Sequence, residues 1–245
     1  MIEQTYTNKN ILITGAASGI GLCQLHTYLD AGAVIYALDN QKIPFQHPHL
    51  HSYRIDLSHH ADLTKLVQTI SEMCDVDILL NTAGMLDGYK TSLETKLSDW
   101  QQVLDTNLTP MFILSNIILP KMLKRRQGHI INMASIAGFT AGGGGVAYTA
   151  SKHAIIGYTK QLAFDYAKYG LHVNAIAPGA IDTPMNAADF MGEGLMAKKV
   201  AEQTPAKRWA TAQEVADLTL FLTSPQADYI NGVVIPIDGG WTLGH

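Results

Sequence analysis

Seven short apolar runs, separated by stretches with helical spacing, dominate the organisation of this chain of 245 residues. Runs rich in Val and Ile are typical of buried strands, and a helix between two such strands allows them to lie parallel. The runs are Ile11–Thr14, Ala33–Asp39, Ser52–Asp56, Val76–Asn81, His129–Ser135, His172–Pro178 and Gly232–Ile237. We therefore predict an α/β fold with a doubly wound parallel sheet of about seven strands and helices on both faces.

The stretches between the runs carry the spacing and end signals of helices. After the first run, Leu22, Leu25 and Leu29 recur at helical intervals, and Gly32 follows at a position where helix ends favour glycine. Near the other end of the chain, Thr211-Ala-Gln-Glu has the pattern of a capping box, which opens a helix.

Composition limits the classes of protein that fit. Apolar residues make up 47% and charged residues 16%, which is typical of one globular domain, predicted over residues 1–245. The net charge of −4 argues against nucleic-acid binding, which needs a basic surface. No apolar run reaches the ~18 residues that span a bilayer, and the polar start MIEQTYTNKN lacks the layout of a signal peptide. Cys23 and Cys74 fall in predicted helices, where we expect buried thiols. These features predict a soluble cytoplasmic protein with no nucleic-acid or membrane partner.

A glycine-rich turn, Thr14–Gly21, follows the first strand and opens the first helix. Glycines at 15, 19 and 21 let the backbone turn tightly and approach a pyrophosphate, which then meets free amides at the positive end of the helix. Glycines also serve ordinary turns, but a strand before and a helix after favour a dinucleotide site. We therefore predict a Rossmann-type fold.

Asp39 ends the second run, 24 positions beyond the first glycine of the turn. A carboxylate there can accept hydrogen bonds from the adenosine ribose hydroxyls and repels a 2′-phosphate. Neither Ala16 nor Ala17 is basic, and the nearest cation, Lys42, lies three residues on. The alternative is a turn aspartate beside Asn40. We predict NAD(H) in preference to NADP(H).

Two further segments follow strand ends: Asp56-Leu57 after the third run and Asn81-Thr-Ala-Gly84 after the fourth. Because ligands of such sheets bind at the carboxyl ends of the strands, the first can bracket an adenine. The second can support a ribose and the central sheet. Each is equally consistent with an ordinary turn at a strand end.

The connection between the second and third runs differs from the others. Asp56 follows Asp39 by only 17 positions, and Pro44 and Pro48 interrupt the segment. Proline lacks an amide hydrogen and clashes inside a helix. We therefore predict a loop or a single turn here, and an adenine edge that is more open than in a full strand–helix–strand unit.

Tyr148-Thr-Ala-Ser-Lys152 places a phenol and an ammonium four residues apart, on one face of a helix. A free tyrosine, with a pKa near ~10, is a poor acid or base at neutral pH, but a fixed neighbouring cation favours the phenolate. Ser135 ends the fifth run, where its hydroxyl can bind the reacting oxygen. Tyr-x-x-x-Lys alone is common on helix surfaces, so the prediction of an acid/base depends on all three residues and the glycine turn together.

The chain resembles the short-chain dehydrogenase/reductase family over essentially its whole length. The matching landmarks are Thr14–Gly21, Asn81–Gly84, Asn107, Ser135, Tyr148 with Lys152, Pro178-Gly179, Thr183-Pro184 and Asp238-Gly-Gly240. Thr82 departs from the family, which often has asparagine there. The resemblance implies hydride transfer between a nicotinamide cofactor and a ketone or secondary alcohol. It implies that Tyr148 exchanges the substrate proton, Ser135 polarises the carbonyl, Lys152 holds the nicotinamide ribose and lowers the Tyr148 pKa, and Asn107 positions a water of the proton relay.

The residues and the resemblance together predict the cofactor site. Its members are Gly15, Ala17, Ser18, Gly19, Ile20, Gly21, Asp39, Asn40, Asp56, Leu57, Asn81, Ala83, Gly84, Tyr148, Lys152, Pro178, Gly179, Ile181 and Thr183. By resemblance, residues 185–209 form a flexible lid over the substrate, and its methionines fit either an adaptable pocket or ordinary packing. The resemblance also suggests a homotetramer built on helices over Ser98–Arg126 and Tyr148–Tyr169.

Two substrate groups within the family remain open. The preferred prediction is a 3-oxoacyl-carrier-protein reductase of fatty-acid biosynthesis, because Gly142–Gly145 precedes Tyr148 and a basic cluster ends the first long helix. That cluster is Lys121, Lys124, Arg125 and Arg126. An acidic carrier protein could dock on it, although cations also satisfy the carbonyls of a helix end. Asp39 argues against this group, whose fatty-acid enzymes usually prefer NADPH.

The second group is the 2,3-dihydro-2,3-dihydroxybenzoate dehydrogenases, which act on a cyclic alcohol. The short connection after Asp39 and the closing sequence DGGWTLG favour it. Residues 134–147 contain no arginine or lysine to meet the carboxylate of such a substrate, which argues against it.

Two other kinds of protein, a metal-binding protein and a protein without catalytic activity, fit parts of the sequence. Five histidines in and around the proline-containing loop suggest a metal site, but no ligand spacing accompanies them, and we predict solvated side chains and no metal. They are His47, His49, His51, His59 and His60. A catalytically silent nucleotide-binding scaffold is also compatible with the fold. The complete set of Asn107, Ser135, Tyr148 and Lys152 argues against a scaffold.

Overall fold

The computed structural model describes residues 5–244, so the predicted domain limits at 1 and 245, and the first four residues of the MIEQTYTNKN start, lie outside the described residues. Its strands are β1 (Asn10–Thr14), β2 (Val34–Asp39), β3 (Leu50–Arg54), β4 (Ile78–Asn81), β5 (Gly128–Met133), β6 (Leu171–Pro178), β7 (Ile181–Asp182), β8 (Ala210–Thr211) and β9 (Val234–Ile237). Seven of them form one parallel sheet in the order β3-β2-β1-β4-β5-β6-β9. The predicted doubly wound α/β fold is confirmed.

Helices cover both faces of this sheet. They are α1 (Gly19–Asp30), α2 (His60–Met73), α3 (Leu97–Asn107), α4 (Thr109–Arg125), α5 (Val146–Tyr166), α6 (Leu195–Gln203) and α7 (Ala212–Leu222). Alternate residues of a strand point to opposite sides of a sheet. Ile11 and Ile13 of β1 therefore join the core beside α1 and α7, whereas Leu12 joins the core beside α2 and α4.

The predicted helix ends are found where the sequence signals lie. Gly32 follows the last turn of α1 in the left-handed conformation, with φ of 88°. Thr211 and Glu214 form a capping box at the start of α7, since each side chain accepts the backbone N–H of the other residue. Both predictions are confirmed.

The connection between β2 and β3 contains no helix, as the two prolines predict. Ile43 is buried in the core, and the ring of Phe45 stacks on His26 of α1 with 4.4 Å between centroids. These contacts anchor the loop. β3 itself ends at Arg54, two residues earlier than predicted.

The helix predicted over Ser98–Arg126 is divided into α3 and α4 at Leu108, whose φ and ψ are −118° and −55°. Pro110 lies in the first turn of α4, where its missing amide hydrogen costs no helical hydrogen bond. At the end of α3, the Asn107 side chain bonds to the backbone of another segment. The prediction of one continuous helix was wrong because tertiary contacts fix this break.

Among the described residues, Leu97–Arg125 is long and apolar enough to cross a membrane by length and composition alone. The sequence prediction considered only uninterrupted apolar runs. Scattered polar residues interrupt this stretch, so it was not predicted. Leu114, Ile118 and Met122 of α4 are buried in the core beside the sheet. Packing within the fold therefore accounts for the apolar character of this stretch.

The two cysteines are unpaired, and both are half-buried rather than fully buried as predicted. Cys23 lies in α1, whereas Cys74 lies one residue beyond the end of α2.

Candidate active site

A cleft of about 980 Å³ opens at the carboxyl ends of the parallel strands. The sheet order reverses between β1 and β4, which is where doubly wound sheets form a crevice. Most of the predicted cofactor residues line the cleft, together with Ser135. They are Gly15, Ser18, Gly19, Ile20, Gly21, Asp39, Asn40, Asp56, Leu57, Ala83, Gly84, Tyr148, Lys152, Pro178, Gly179, Ile181 and Thr183. The cleft has two chemically different ends, one beside the glycine turn and Asp39 and the other beside Tyr148 and Lys152.

The glycine turn leaves room for nothing larger than glycine at its two critical positions. A Cβ atom on Gly15, whose φ is 73°, would lie 2.8 Å from the Ala83 Cα, and one on Gly21 would lie 2.0 Å from the Gly15 carbonyl oxygen. The turn leads through Ser18 into the N-terminus of α1, where backbone amides have no partner within the helix. This close backbone fits a pyrophosphate group.

Asp39 bridges the end of β2 and the glycine turn. One carboxylate oxygen accepts the Ala17 N–H at 2.9 Å and the other accepts the Gln41 N–H at 2.8 Å. The carboxylate is nearly buried yet lines the cleft. Two backbone amides thus fix a negative charge at this end of the cleft. Ala17 itself does not line the cleft and contributes only its backbone hydrogen bond.

At the other end, Tyr148 and Lys152 of α5 lie beside Ser135 at the end of β5. The Lys152 Nζ atom donates a hydrogen bond to the Met133 carbonyl oxygen at 2.8 Å and lies 5.4 Å from the centroid of the Tyr148 ring. Burial raises the pKa of Tyr148 to about 12, and the neighbouring Ser135 hydroxyl opposes this shift. Burial lowers the pKa of Lys152 to about 8. Both shifts favour the uncharged form, as expected for groups removed from water.

Asn107 is fully buried behind the cleft wall and does not line the cleft. Its side-chain oxygen accepts the Met85 N–H at 2.8 Å, and its Nδ2 donates to the Met85 carbonyl at 3.0 Å and to Ser151 Oγ at 3.2 Å. Only Gly84 separates it from Lys152, since a Cβ on Gly84 would lie 3.5 Å from Asn107 Oδ1 and 3.6 Å from Lys152 Nζ. Its side chain therefore holds the segment after β4 in place.

Asn81 also lies outside the cleft lining. Its Nδ2 donates to Asn132 Oδ1 on the neighbouring strand at 2.8 Å. The Thr14 hydroxyl accepts the N–H groups of Thr82 and Ala83, and the Thr82 hydroxyl donates to Gln24 of α1 at 2.6 Å. The Asn81 side chain thus braces the central sheet, while Ala83 and Gly84 meet the cleft.

A second group of polar side chains lies at the opposite, amino end of the strands. Among the described residues, His129, His172 and Asp228 bring possible metal-ligand atoms within 4.8 Å of one another. The two imidazole rings are stacked, with 4.9 Å between centroids and an interplanar angle of 17°. The in-plane lone pairs of the two rings therefore lie in nearly parallel planes that do not meet at a common point, so the arrangement fits ring stacking better than a metal site. The five histidines of the sequence prediction are not part of this group.

Comparison with known proteins gives the family. A family model described as enoyl-(acyl carrier protein) reductase matches residues 15–242. A 2-dehydro-3-deoxy-D-gluconate 5-dehydrogenase of Bacillus subtilis is 35% identical over 95% of this chain and 94% of the relative. A 3-oxoacyl-(acyl-carrier-protein) reductase of Aquifex aeolicus is 35% identical over 98% and 99%, respectively.

The chain belongs to the short-chain dehydrogenase/reductase family. Two solved structures of similar proteins cover nearly the whole chain. One, assigned as an NAD(P)-dependent gluconate 5-dehydrogenase from Beutenbergia cavernae with bound NADP, is 32% identical, covers 99% of this chain and 100% of its own, and has a TM-score of 0.92. The other, a 4-hydroxyisoleucine dehydrogenase with NADH, is 33% identical, covers 97% and 100%, and has a TM-score of 0.90. This short-chain dehydrogenase/reductase is therefore an oxidoreductase of alcohol and carbonyl substrates that uses a nicotinamide cofactor.

The predicted lid of this short-chain dehydrogenase/reductase contributes three large side chains to the cleft: Met185, Met196 and Trp209. The Trp209 ring packs on Phe190 at 4.8 Å, and its Nε1 donates to the Ala197 carbonyl in α6. Other methionines differ in role, since Met191 is exposed and does not line the cleft.

Several cleft residues were missed by the sequence analysis. Leu86 and Tyr89, in the loop between β4 and α3, and Asp189 of the predicted lid line the cleft. Loop residues have no periodic pattern that reveals their direction. The available signal was the presence of three large apolar or aromatic residues, Met85, Leu86 and Tyr89, in a loop segment that follows a strand.

Proposed function

We propose that this protein interconverts a ketone and a secondary alcohol with NAD(H), using Tyr148 as the acid/base. The observation that carries the proposal is the meeting of Tyr148, Ser135 and Lys152 with the glycine turn in one cleft. The bound nicotinamide would supply or accept the hydride. The residues of this chain supply binding, orientation and proton transfer.

Each residue of the proposed tetrad has a separate task. Tyr148 gives a proton to the carbonyl oxygen in reduction and takes it from the alcohol in oxidation. Ser135 donates a hydrogen bond to the same oxygen and polarises the carbonyl. Lys152, when charged, stabilises the phenolate of Tyr148 and holds the nicotinamide ribose. For Asn107, whose side chain is committed to Met85 and Ser151, we propose that it positions a water of the proton relay through the segment it holds.

We infer a preference for NAD(H) over NADP(H). The fixed carboxylate of Asp39 accepts ribose hydroxyls and repels a 2′-phosphate. Among the described residues, Lys152 is the one lysine or arginine that lines the cleft, and it lies at the opposite end from Asp39. Arg54 pairs with Asp39 in the register of β2 and β3 and donates to the Asn40 carbonyl oxygen at 2.9 Å, but it does not line the cleft. We therefore propose that Arg54 does not offset this repulsion.

For the substrate we propose an uncharged ketone or alcohol, with a 3-oxoacyl thioester of fatty-acid biosynthesis as the preferred class. The substrate end carries the carboxylate of Asp189 and the apolar side chains of Leu86, Met185 and Met196. Its one cation, Lys152, is fully buried and bonded to Met133. Among the described residues, a substrate carboxylate would therefore find only neutral donors there, such as Tyr89 and Asn186, and no free cation. This disfavours 2,3-dihydro-2,3-dihydroxybenzoate, although the open loop after Asp39 keeps a cyclic alcohol as the alternative.

The basic cluster at the end of α4 does not support docking of an acyl carrier. Lys121 and Arg125 pair with Asp75 at 3.2 Å, and Arg125 also donates to the Val76 carbonyl. α4 ends where β5 begins, which is the amino end of the strands, opposite the cleft. A carrier on this cluster would present its cargo to the wrong edge of the sheet. We therefore propose that any carrier meets the protein beside the lid.

We further infer that the protein works in the cytoplasm as a homotetramer. Family resemblance supports both inferences, and the exposed aromatic side chains of Phe112 on α4 and Phe164 on α5 support the tetramer. A catalytically silent scaffold is the alternative of another class.

Replacement of Tyr148 tests the proposed function directly. Tyr148→Phe should abolish turnover while NADH binding, measured by fluorescence titration, stays within about twofold of the unmodified protein. Tyr158→Phe is the matched control, because Tyr158 lies on the same helix but does not line the cleft. The substrates are acetoacetyl thioesters, reduced with NADH or NADPH, and cyclic alcohols, oxidised with NAD⁺ or NADP⁺. Retention of activity by Tyr148→Phe would refute the assignment of Tyr148 as the acid/base.

A further inference from the structure

The catalytic helix α5 begins without a side chain that can cap it. Its N-cap residue is Gly145, and the first N–H groups of a helix have no partner within the helix. The Asp87 carboxylate, from the loop between β4 and α3, fills this role. One oxygen accepts the Gly145 N–H at 2.8 Å, and the other accepts the Tyr148 N–H at 3.0 Å.

The same loop also supplies a backbone cap. The Lys90 carbonyl oxygen accepts the Val146 N–H at 3.1 Å. A Cβ atom on Gly145 would lie 2.6 Å from both the Asp87 carboxylate and the Lys90 carbonyl. The two segments are therefore too close for any capping side chain at position 145, so the loop that carries Asp87 and Lys90 supplies the cap.

The loop that caps α5 also faces the substrate. Leu86 and Tyr89, which flank Asp87, line the cleft. Tyr89 has a φ of 58°, a left-handed conformation that is unfavourable for an aromatic residue, and its N–H donates to Asp87 at 3.2 Å. Asp87 thus holds both the start of the catalytic helix and the shape of the substrate-facing loop.

We propose that Asp87 is a positioning residue that fixes Tyr148 relative to the substrate-facing loop. The inference rests on the proposed function, because it assigns the acid/base to Tyr148. The carboxylate bonds the backbone of Tyr148 itself, so a shift of the loop moves the phenol, and a shift of the helix moves the loop. Misplacement of a reacting group by about 1 Å can cost about 100-fold in rate.

The negative charge of Asp87 has a second, independent effect, on the pKa of Tyr148. The groups that face Tyr148 are Lys152 on its own helix, Ser135 at the end of β5, and Asp87 and Tyr89 on the loop. The negative charge of Asp87 adds to burial in raising the pKa of Tyr148, against the Ser135 hydroxyl. Removal of that charge lowers the pKa of Tyr148.

Asp87→Asn separates positioning from simple stability. The amide can still accept from Gly145 with its oxygen, but its NH₂ group meets the Tyr148 N–H donor to donor. We expect kcat to fall about 10-fold to 100-fold. We also expect the limb of the pH profile of kcat/KM that reports Tyr148 to move to lower pH. Asp99→Asn is the matched control, since it removes an equal charge from an aspartate that pairs with Lys90 and makes no hydrogen bond to α5.

NADH titration and circular dichroism establish that each variant is folded before kinetics are compared. Loss of rate with an unchanged pH profile would overturn the proposal in favour of a structural role, and so would unmodified kinetics in Asp87→Asn. Activity of Tyr148→Phe, assayed in parallel, reports separately on the proposed function. Failure of one inference is therefore distinguishable from failure of the other.

Discussion

Two backbone amides hold the Asp39 carboxylate at the cofactor end of the cleft, so its charge cannot swing away from an incoming phosphate. We expect kcat/KM with NADH to exceed kcat/KM with NADPH in the unmodified protein. Asp39→Asn should lower the ratio of kcat/KM with NADH to kcat/KM with NADPH by about tenfold or more. In the unmodified protein the like charges of Asp39 and the 2′-phosphate are brought together, which costs several kcal/mol.

The control for this prediction is Asp62→Asn, which removes an equal charge from the exposed first turn of α2, outside the cleft, and should leave the nucleotide preference unchanged. The test is to measure kcat/KM with NADH and with NADPH for the unmodified protein and both variants. Equal or better turnover of NADPH by the unmodified protein contradicts the role of Asp39.

Local spacing explains why Tyr148, Lys152 and Ser135 were predictable, whereas other site residues were not. A phenol and an amine four residues apart share a helix face wherever the helix lies, and a residue at the end of a parallel strand reaches the ligand edge. Asp87 has no such local pattern, since its partner Gly145 lies 58 residues away. Asn81 ends its strand as predicted, whereas Asn107 ends α3 where one continuous helix was predicted, and the direction of the two side-chain amides depends on Asn132 and Met85.

At the scale of elements, β5 and β6 place His129 and His172 side by side at the amino end of the sheet. Burial, with smaller contributions from His172 and Lys9, lowers the pKa of His129 to about 4. Between about pH 6.5 and 4 the unfolded chain therefore binds a proton that the folded chain does not. The free energy of unfolding falls as the pH falls through this window, by roughly 3 kcal/mol at most.

His129→Phe keeps an aromatic ring in the stack and removes the titration. We expect this variant to lose less stability than the unmodified protein between pH 7 and 4.5, measured by urea unfolding. His153→Phe, on the exposed surface of α5, should follow the unmodified protein. If the free energy of unfolding falls equally in all three proteins between pH 7 and 4.5, then His129 does not cause the loss of stability in acid.

The elements also show what sequence patterns capture. Continuous apolar runs and a capping box are local, and the seven strands and the start of α7 were predicted within a few residues. The division of the long helix at Leu108 depends on the distant Met85 backbone and was missed. The pair β7 and β8, two residues each, is too short for any period to register.

At the scale of the whole molecule, large apolar side chains remain exposed on the two helices for which resemblance suggests subunit contacts. Phe112 of α4 is 58% exposed and Phe164 of α5 is 83% exposed. Exposed aromatic residues of this size are typical of protein interfaces. We expect a homotetramer, and Phe112→Glu with Phe164→Glu should reduce its mass to that of a dimer or monomer in sedimentation equilibrium.

Tyr229→Glu is the control for that experiment, because Tyr229 is fully exposed outside both helices. It should leave the mass unchanged. A tetramer that survives the double substitution would move the interface to another surface.

The cleft is built from two kinds of segment. Strand ends and the start of α5 carry the groups that we propose to move the proton, whereas the loop after β4 and the predicted lid supply the wall that we expect to face the substrate. Loops of this kind accept replacements more readily than a sheet does. Evolution can therefore exchange the accepted alcohol while the reaction itself is inherited unchanged. Asp87 is the exception, because a change in the loop that displaced Asp87 would also displace the start of α5, which carries Tyr148.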